Sequence, residues 1–185
     1  MNPLARTSMP LRRRLVLAMA ALALAGCAGP QVQDYANETP RFDMRAFLSG
    51  DLTAKGVFTD RSGRVVKRFS VTMNGRWDGD EGVLDERFQY SDGSTQRRVW
   101  KLRQLAPGRY TGTADDVVGE ALGESAGNAL RWTYTLALPV DGRIWHVSLD
   151  DWMFLMDERT VLNRSAMSKL GVHLGDVTLV ISKDR

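Results

Sequence analysis

The chain has one cysteine and two histidines in 185 residues, so much of the chemistry that usually marks a site is missing. A single Cys forms no intramolecular disulfide and cannot supply a Cys-based structural zinc site. His146 and His173 lie far apart and lack metal-ligand spacing, so each reads as a hydrogen-bonded strand residue rather than a ligand or catalytic base. There is no Gly-x-Ser-x-Gly elbow, and Ser165 and Ser168-Lys169 do not form a Ser-x-x-Lys motif, which leaves no serine nucleophile and no catalytic constellation to name. No apolar run reaches the ~20 residues that a membrane-spanning helix needs. Proline is scarce, 6 against 17 glycines, and the length suits one domain rather than two full-sized ones. Charge is also missing once it is placed along the chain. The net charge is +3, yet four of the 25 basic residues precede residue 27, and beyond it 21 basic residues face 22 acidic ones. A nucleic-acid partner therefore loses its electrostatic support.

The first 27 residues carry an address. Arg12-Arg13-Arg14 precedes an apolar run from Leu15 to Ala25, too short to span a bilayer and suited to a secretory signal over residues 1–26. It ends in Leu24-Ala25-Gly26-Cys27, which resembles the lipobox of bacterial lipoproteins, with the protein's only Cys as the lipidated residue. Several acyl chains, at roughly 0.8 kcal/mol per buried methylene, would make that anchor effectively permanent. Ala28 follows Cys27 where an inner-membrane retention signal has Asp, so the expected location is the outer membrane, on its periplasmic face. Met9 is an alternative start, since everything the signal needs follows it. Residues 27–46, polar and carrying Pro30 and Pro40, read as the lipidated Cys and a flexible tether.

From 47 to 185 the pattern has period two. Val65, Phe69, Val71, Met73 and Trp77 share one face against Arg64, Arg68, Ser70, Thr72, Asn74 and Arg76. Leu130, Trp132, Tyr134, Leu136 and Leu138 repeat the arrangement, as do Leu84, Phe88 and Tyr90. Turn signals such as Asp60-Arg61-Ser62-Gly63, Ser91-Asp92-Gly93-Ser94, Gly127-Asn128 and Asp141-Gly142 punctuate the runs. They predict about nine or ten strands in a meander, near 48–58, 64–77, 83–91, 95–104, 109–115, 117–126, 129–138, 143–156, 159–169 and 174–182. A long sheet with one apolar face and no helices to cover it closes on itself. The expectation is an all-β, antiparallel up-and-down barrel of the lipocalin or calycin type with little helix; a two-sheet sandwich is the alternative. Residues 117–126 are ambiguous, because Gly119, Gly123 and Gly127 at spacing four also mimic a helix-packing motif.

Few residues stand out as candidates for a site. Asp150-Asp151-Trp152 interrupts the most apolar stretch, Ile144 to Met156. Adjacent acids in a strand point to opposite faces, so one of them faces the barrel interior. A buried carboxylate requires a cation or several donors, and a hairpin at Asp157-Glu158 suggests Arg164 as its partner. This pair is either a structural ion pair or a polar clamp for a ligand headgroup. Asp115-Asp116 is a second acidic pair at a bend, without the spacing of a cation loop, and no metal or cofactor is assigned. Trp132, Tyr134, Trp145 and Trp152 fall in two successive strands and offer either core packing or a ligand platform.

Four blocks carry a family resemblance: Ala114-Asp115-Asp116-Val117-Val118-Gly119, Gly127-Asn128-Ala129-Leu130-Arg131-Trp132, Asp150-Asp151-Trp152-Met153 and Leu162-Asn163-Arg164. Together they resemble DUF3833, a family of bacterial lipoproteins, from about Tyr35 to the C-terminus. The resemblance implies a calycin-like fold and, loosely, lipid chemistry in the cell envelope, but no activity. Three classes of function follow. The first is a barrel that holds a fatty acid, phospholipid or other apolar molecule, with Trp132, Tyr134 and Trp152 as walls and Arg164 as an anion clamp. The second is an envelope component with a filled barrel that binds a partner protein. The third is a lipid-modifying enzyme acting through Asp150, Asp151 or Asp116.

Overall fold

A computed structural model describes residues 29–140 and 142–183; the expected signal segment and Cys27 lie outside the described residues. The chain divides into Met1–Gln31 and a compact unit, Val32–Arg185, that contains every buried core residue among those described. That unit carries its own core and is the part that has to fold.

Ten strands run in chain order: β1 (Gly50–Asp60), β2 (Val65–Asp78), β3 (Glu81–Tyr90), β4 (Thr95–Ala106), β5 (Arg109–Thr113), β6 (Ala121–Ala126), β7 (Ala129–Val140), β8 (Arg143–Asp157), β9 (Thr160–Lys169) and β10 (Val172–Lys183). Each pairs antiparallel with its sequence neighbour, and β1 also pairs with β10, Ala54 opposite Ile181, so the sheet closes into a barrel. The expected up-and-down barrel is what forms. Its physical cause is visible in β2, where Phe69, Val71 and Met73 are buried while Arg68, Ser70 and Thr72 are exposed.

Two expectations need correction. The strand expected over 117–126 begins only at Ala121, because the preceding segment crosses to β7 instead: the Val118 N–H donates to the Thr135 carbonyl at 2.8 Å and the Ala137 N–H to the Asp116 carbonyl at 2.8 Å. Gly123 sits in that strand rather than in a helix, and it faces inward, where a Cβ would lie 2.4 Å from the Trp132 ring. Gly112 on β5 clears the other side of the same ring, so these two glycines make the room that a large indole occupies.

The second correction concerns residues 27–46. From Val32 onward they are not a tether. Val32, Phe42, Met44, Phe47 and Leu48 are buried, and the chain forms a 3₁₀ turn (Val32–Tyr35) and a single helical turn, α1 (Met44–Phe47), capped by the Asp43 carboxylate accepting from the Ala46 N–H at 3.1 Å. The apolar residues interspersed in this polar segment have a place to go, which is the end of the barrel beneath β1–β2. There the Phe42 N–H donates to the Gly127 carbonyl at 2.7 Å and Lys183 Nζ to the Ala46 carbonyl at 2.7 Å. Leu48 passes so close to β2 that a Cβ on Gly75 would fall 1.8 Å from its carbonyl oxygen. This segment plugs one end of the barrel.

Candidate functional site

The barrel interior holds a cavity of about 200 Å³. Met44 and Leu48 of the plug form its floor, and Phe69, Trp100, Trp132 and Leu138 are among its walls. At the end opposite the plug the walls become ragged: Trp145 keeps the inward phase of β8 but is 37% exposed, with Lys169 Nζ 3.5 Å from its ring centre. Apolar walls are what a closed sheet with one apolar face must produce. The polar positions in the inward phase are the ones that need a separate explanation.

Three of these are of the charged residue types. Glu86 lies between Leu84 and Phe88 on β3, Arg98 between Gln96 and Trp100 on β4, and Asp151 between Leu149 and Met153 on β8, and all three line the cavity. Arg98 is the cation of this group. Its Nη2 and Nε reach the two oxygens of Asp116 at 2.7 and 2.9 Å, its Nη1 stands 3.9 Å from Glu86 Oε2, and the rings of Phe88 and Trp100 lie against its faces. Glu86 also accepts from Trp100 Nε1–H at 3.2 Å. Gln96 Nε2 donates to Asp116 at 3.1 Å, while its carbonyl oxygen accepts from the Tyr90 hydroxyl at 2.8 Å. Burial raises the Glu86 carboxyl to about 7, against the pull of Arg98. It raises Asp151 to about 6, with the neighbouring Ser165 and Tyr134 hydroxyls acting in the opposite direction, and it drives the Tyr134 hydroxyl well above its ordinary value.

The candidate residues separate into two groups. Trp132, Tyr134 and Asp151 line the interior, and Trp100 meets both rings edge-on, 5.7 Å from Trp132 and 5.4 Å from Tyr134. Asp116 reaches in to hold Arg98, while its neighbour Asp115 is exposed. The other candidates do not line the cavity. Asp150 points outward and pairs with Arg131 at 2.7 Å. Trp152 is outside too, packed edge-on against Tyr35 at 5.8 Å, stacked with Phe154 and carrying Arg131 on its face. Arg164 stands opposite Trp152 in the β8–β9 register and is exposed, so it neither meets an interior acid nor clamps an anion there. The alternation decides this: with Asp151 inward, Asp150, Trp152 and Arg164 must be outward. Trp145 stays at the rim. His146 is exposed, and His173 Nε2 lies 3.3 Å from Asp176.

Glu86, Arg98 and Trp100 were not singled out from the sequence, and Ser165 was weighed there only as a nucleophile and set aside. Phase alone could have found the first, since Glu86 fills the gap in the Leu84, Phe88, Tyr90 series. Ser165 sits opposite Asp151 in the register and is 2% exposed, with its hydroxyl facing the cavity beside the Asp151 carboxyl. Among the described residues, no group of three or more His, Cys, Asp or Glu is arranged to hold a metal ion.

Comparison with one solved structure supports the architecture. An S-type phycobiliprotein lyase from Guillardia theta superposes with a TM-score of 0.54 at 8% identity, covering 84% of this chain and 99% of its own. A DUF3598-family protein of unknown function from Nostoc punctiforme gives a TM-score of 0.49 at 12% identity, covering 85% of this chain, which in turn spans about half (53%) of that protein. At such identities the likeness to the lyase is one of fold. No curated protein matches the sequence. A family model described as "Protein of unknown function (DUF3833)" matches residues 21–183.

Proposed function

The chain belongs to the DUF3833 family, and from the interior of its barrel we propose that it is a non-enzymatic binding protein of the cell envelope that holds a lipid-like, apolar molecule inside the β-barrel. The observation that carries this reading is the cavity. A barrel that served only as a scaffold would fill its interior with its own side chains, whereas this one keeps about 200 Å³ open between apolar walls, beside a small set of buried polar groups. That combination of apolar walls with few, convergent polar groups is the usual make-up of a small-molecule site. The volume lies below the ~300–1,000 Å³ of drug-sized sites, so the ligand is slender, with a single chain rather than two.

The N-terminal segment supports a location. Cys27 would take the lipid anchor, and the outer membrane, at its periplasmic face, would be its place. Two other readings compete with this one. A partner-binding envelope protein with a filled barrel is disfavoured by the open interior. A lipid-modifying enzyme acting through Asp151 would have to use the Ser165 or Tyr134 hydroxyl beside it, and among the described residues the cavity lining offers no His, Lys or Cys to serve with them.

Native mass spectrometry with lipid extraction, on the unit beginning at Gln31 purified without detergent from a bacterial host, tests the binding reading. A co-purified apolar molecule that is lost in Trp132→Ala, while circular dichroism shows the fold intact, is the expected result. An empty protein that also takes up no added amphiphile would overturn it.

A further inference from the structure

The binding reading does not say what polar end the ligand carries, and the buried groups bear on that. The interior cation is already committed. Arg98 holds Asp116 at two points through Nε and Nη2, its Nη1 stands 3.9 Å from Glu86, and its guanidinium carbon lies 5.6 and 5.9 Å from the Phe88 and Trp100 ring centres. A carboxylate entering the cavity would have to displace Asp116 to take that fork. It would also lie beside Glu86 and Asp151, two carboxyls that line the cavity at low dielectric. What the cavity does offer is acceptors. Glu86 and Asp151 line it with oxygens that the protein only partly satisfies, and no donor among the described residues reaches the Ser165 hydroxyl oxygen, which is buried beside Asp151 and faces the same space. A buried oxygen that accepts no hydrogen bond costs stability unless something else donates to it.

We propose that the cavity binds a single-chain amphiphile whose buried end donates hydrogen bonds, such as an amine, amide or hydroxyl, with Asp151, Ser165 and Glu86 as its acceptors, and that it rejects the free carboxylate of a fatty acid. The proposal rests on the interior-ligand reading and reverses the anion clamp that Arg164 suggested. Specificity comes from the rejected charge as much as from the accepted donor. Removing the acceptors lowers affinity for the donor and, by relieving repulsion, raises it for the acid.

The test uses four ligands of one chain length, decylamine, decanol, methyl decanoate and decanoate, titrated into the Val32–Arg185 unit at about pH 8, where the amine is charged and the acid ionised. Binding is read by isothermal calorimetry and by the fluorescence of Trp100 and Trp132, which line the cavity. Decylamine and decanol are expected to bind about tenfold or more tightly than decanoate, a difference of about 1.4 kcal/mol, with the ester, which lacks a donor, behind the alcohol. Asp151→Asn and Ser165→Ala should each erode the preference for the amine, and Glu86→Gln combined with Asp151→Asn should admit decanoate. Decanoate binding as tightly as the amine, or the ester as tightly as the alcohol, would overturn the proposal while leaving an interior ligand site standing. Failure of all four to bind would instead overturn the interior-ligand reading itself.

Discussion

At the scale of single residues, the buried carboxyls set a pH dependence whose sign is fixed. Glu86 is raised from 4.5 to about 7 and Asp151 from 3.8 to about 6, both by burial. A carboxyl whose pKa is higher in the folded state favours folding while it is protonated. Its contribution is complete below the unfolded value and is lost as pH rises through the folded one. For Glu86 that window is about pH 4.5 to 7, and the loss is on the order of 3 kcal/mol. Urea unfolding should therefore show the protein less stable at about pH 8 than at about pH 5, and Glu86→Gln, which can still accept from Trp100, should reduce the difference to the part that Asp151 contributes. An unchanged pH slope in that variant would mean that Glu86 is not the group responsible. A second residue carries strain of another kind. Leu170 has φ 49° and is 94% exposed in the β9–β10 hairpin, followed by Gly171 at φ 78°. A branched side chain is disfavoured there and Asn-Gly is the favoured pair, so Leu170→Asn is expected to gain about 1 kcal/mol, seen as a higher Tm. Residue-level roles were the least legible part of the sequence. Period two assigned Trp132 and Tyr134 to the interior, but it could not separate Asp150 from Asp151 until the register of β8 was fixed. Arg98 was invisible because its strand carries charges on both faces.

Elements were far easier to read than their contents. Each hairpin is bounded by a turn whose residues announce it, as where Asp60 and Asp92 accept from the Ser62 and Ser94 N–H groups at 2.9 and 3.0 Å, and the strands between them alternate with little ambiguity. Where the signal failed, the cause was contact between elements. The segment before β1 has no period because it is a plug, and its Phe42, Met44, Phe47 and Leu48 are spaced by the shape of the barrel end rather than by a helix or strand repeat. That difference has an energetic consequence. In a flexible tether Phe42→Ala would cost almost nothing. As a buried ring packed edge-on to Phe47 at 5.7 Å, it should cost about 3–5 kcal/mol, measured by denaturant unfolding. Gly127 gives an independent check from the other side of the same contact. It has φ 54°, and a Cβ there would fall 1.7 Å from the Tyr35 carbonyl oxygen, so Gly127→Ala should unseat the 3₁₀ turn and destabilise by more than the usual ~1 kcal/mol of a glycine replacement.

At the scale of the whole molecule, closure ties residues 52–60 to 175–183, nearly the full length of the folded unit, while every other pairing joins neighbours in sequence. Local hairpins can form before the chain ends meet, but the seam between β1 and β10 bears the largest loop-closure entropy and gains its contacts last. Two buried residues of comparable chemistry lie on either side of this distinction: Val71 in the β2–β3 hairpin and Ile181 in the seam, opposite Ala54. Both truncations to Ala should destabilise, Ile181 by about 2–5 kcal/mol and Val71 by somewhat less. Their kinetics should differ. Ile181→Ala should leave the folding rate nearly unchanged and speed unfolding, because its contacts are absent from the transition state, whereas Val71→Ala should slow folding. Stopped-flow chevrons followed by tryptophan fluorescence read this directly, with folding of the parent expected in the millisecond-to-second range of barrels rich in non-local pairing. If Ile181→Ala slows folding in proportion to its loss of stability, the seam forms early. The barrel would then close around its cavity before the hairpins are complete.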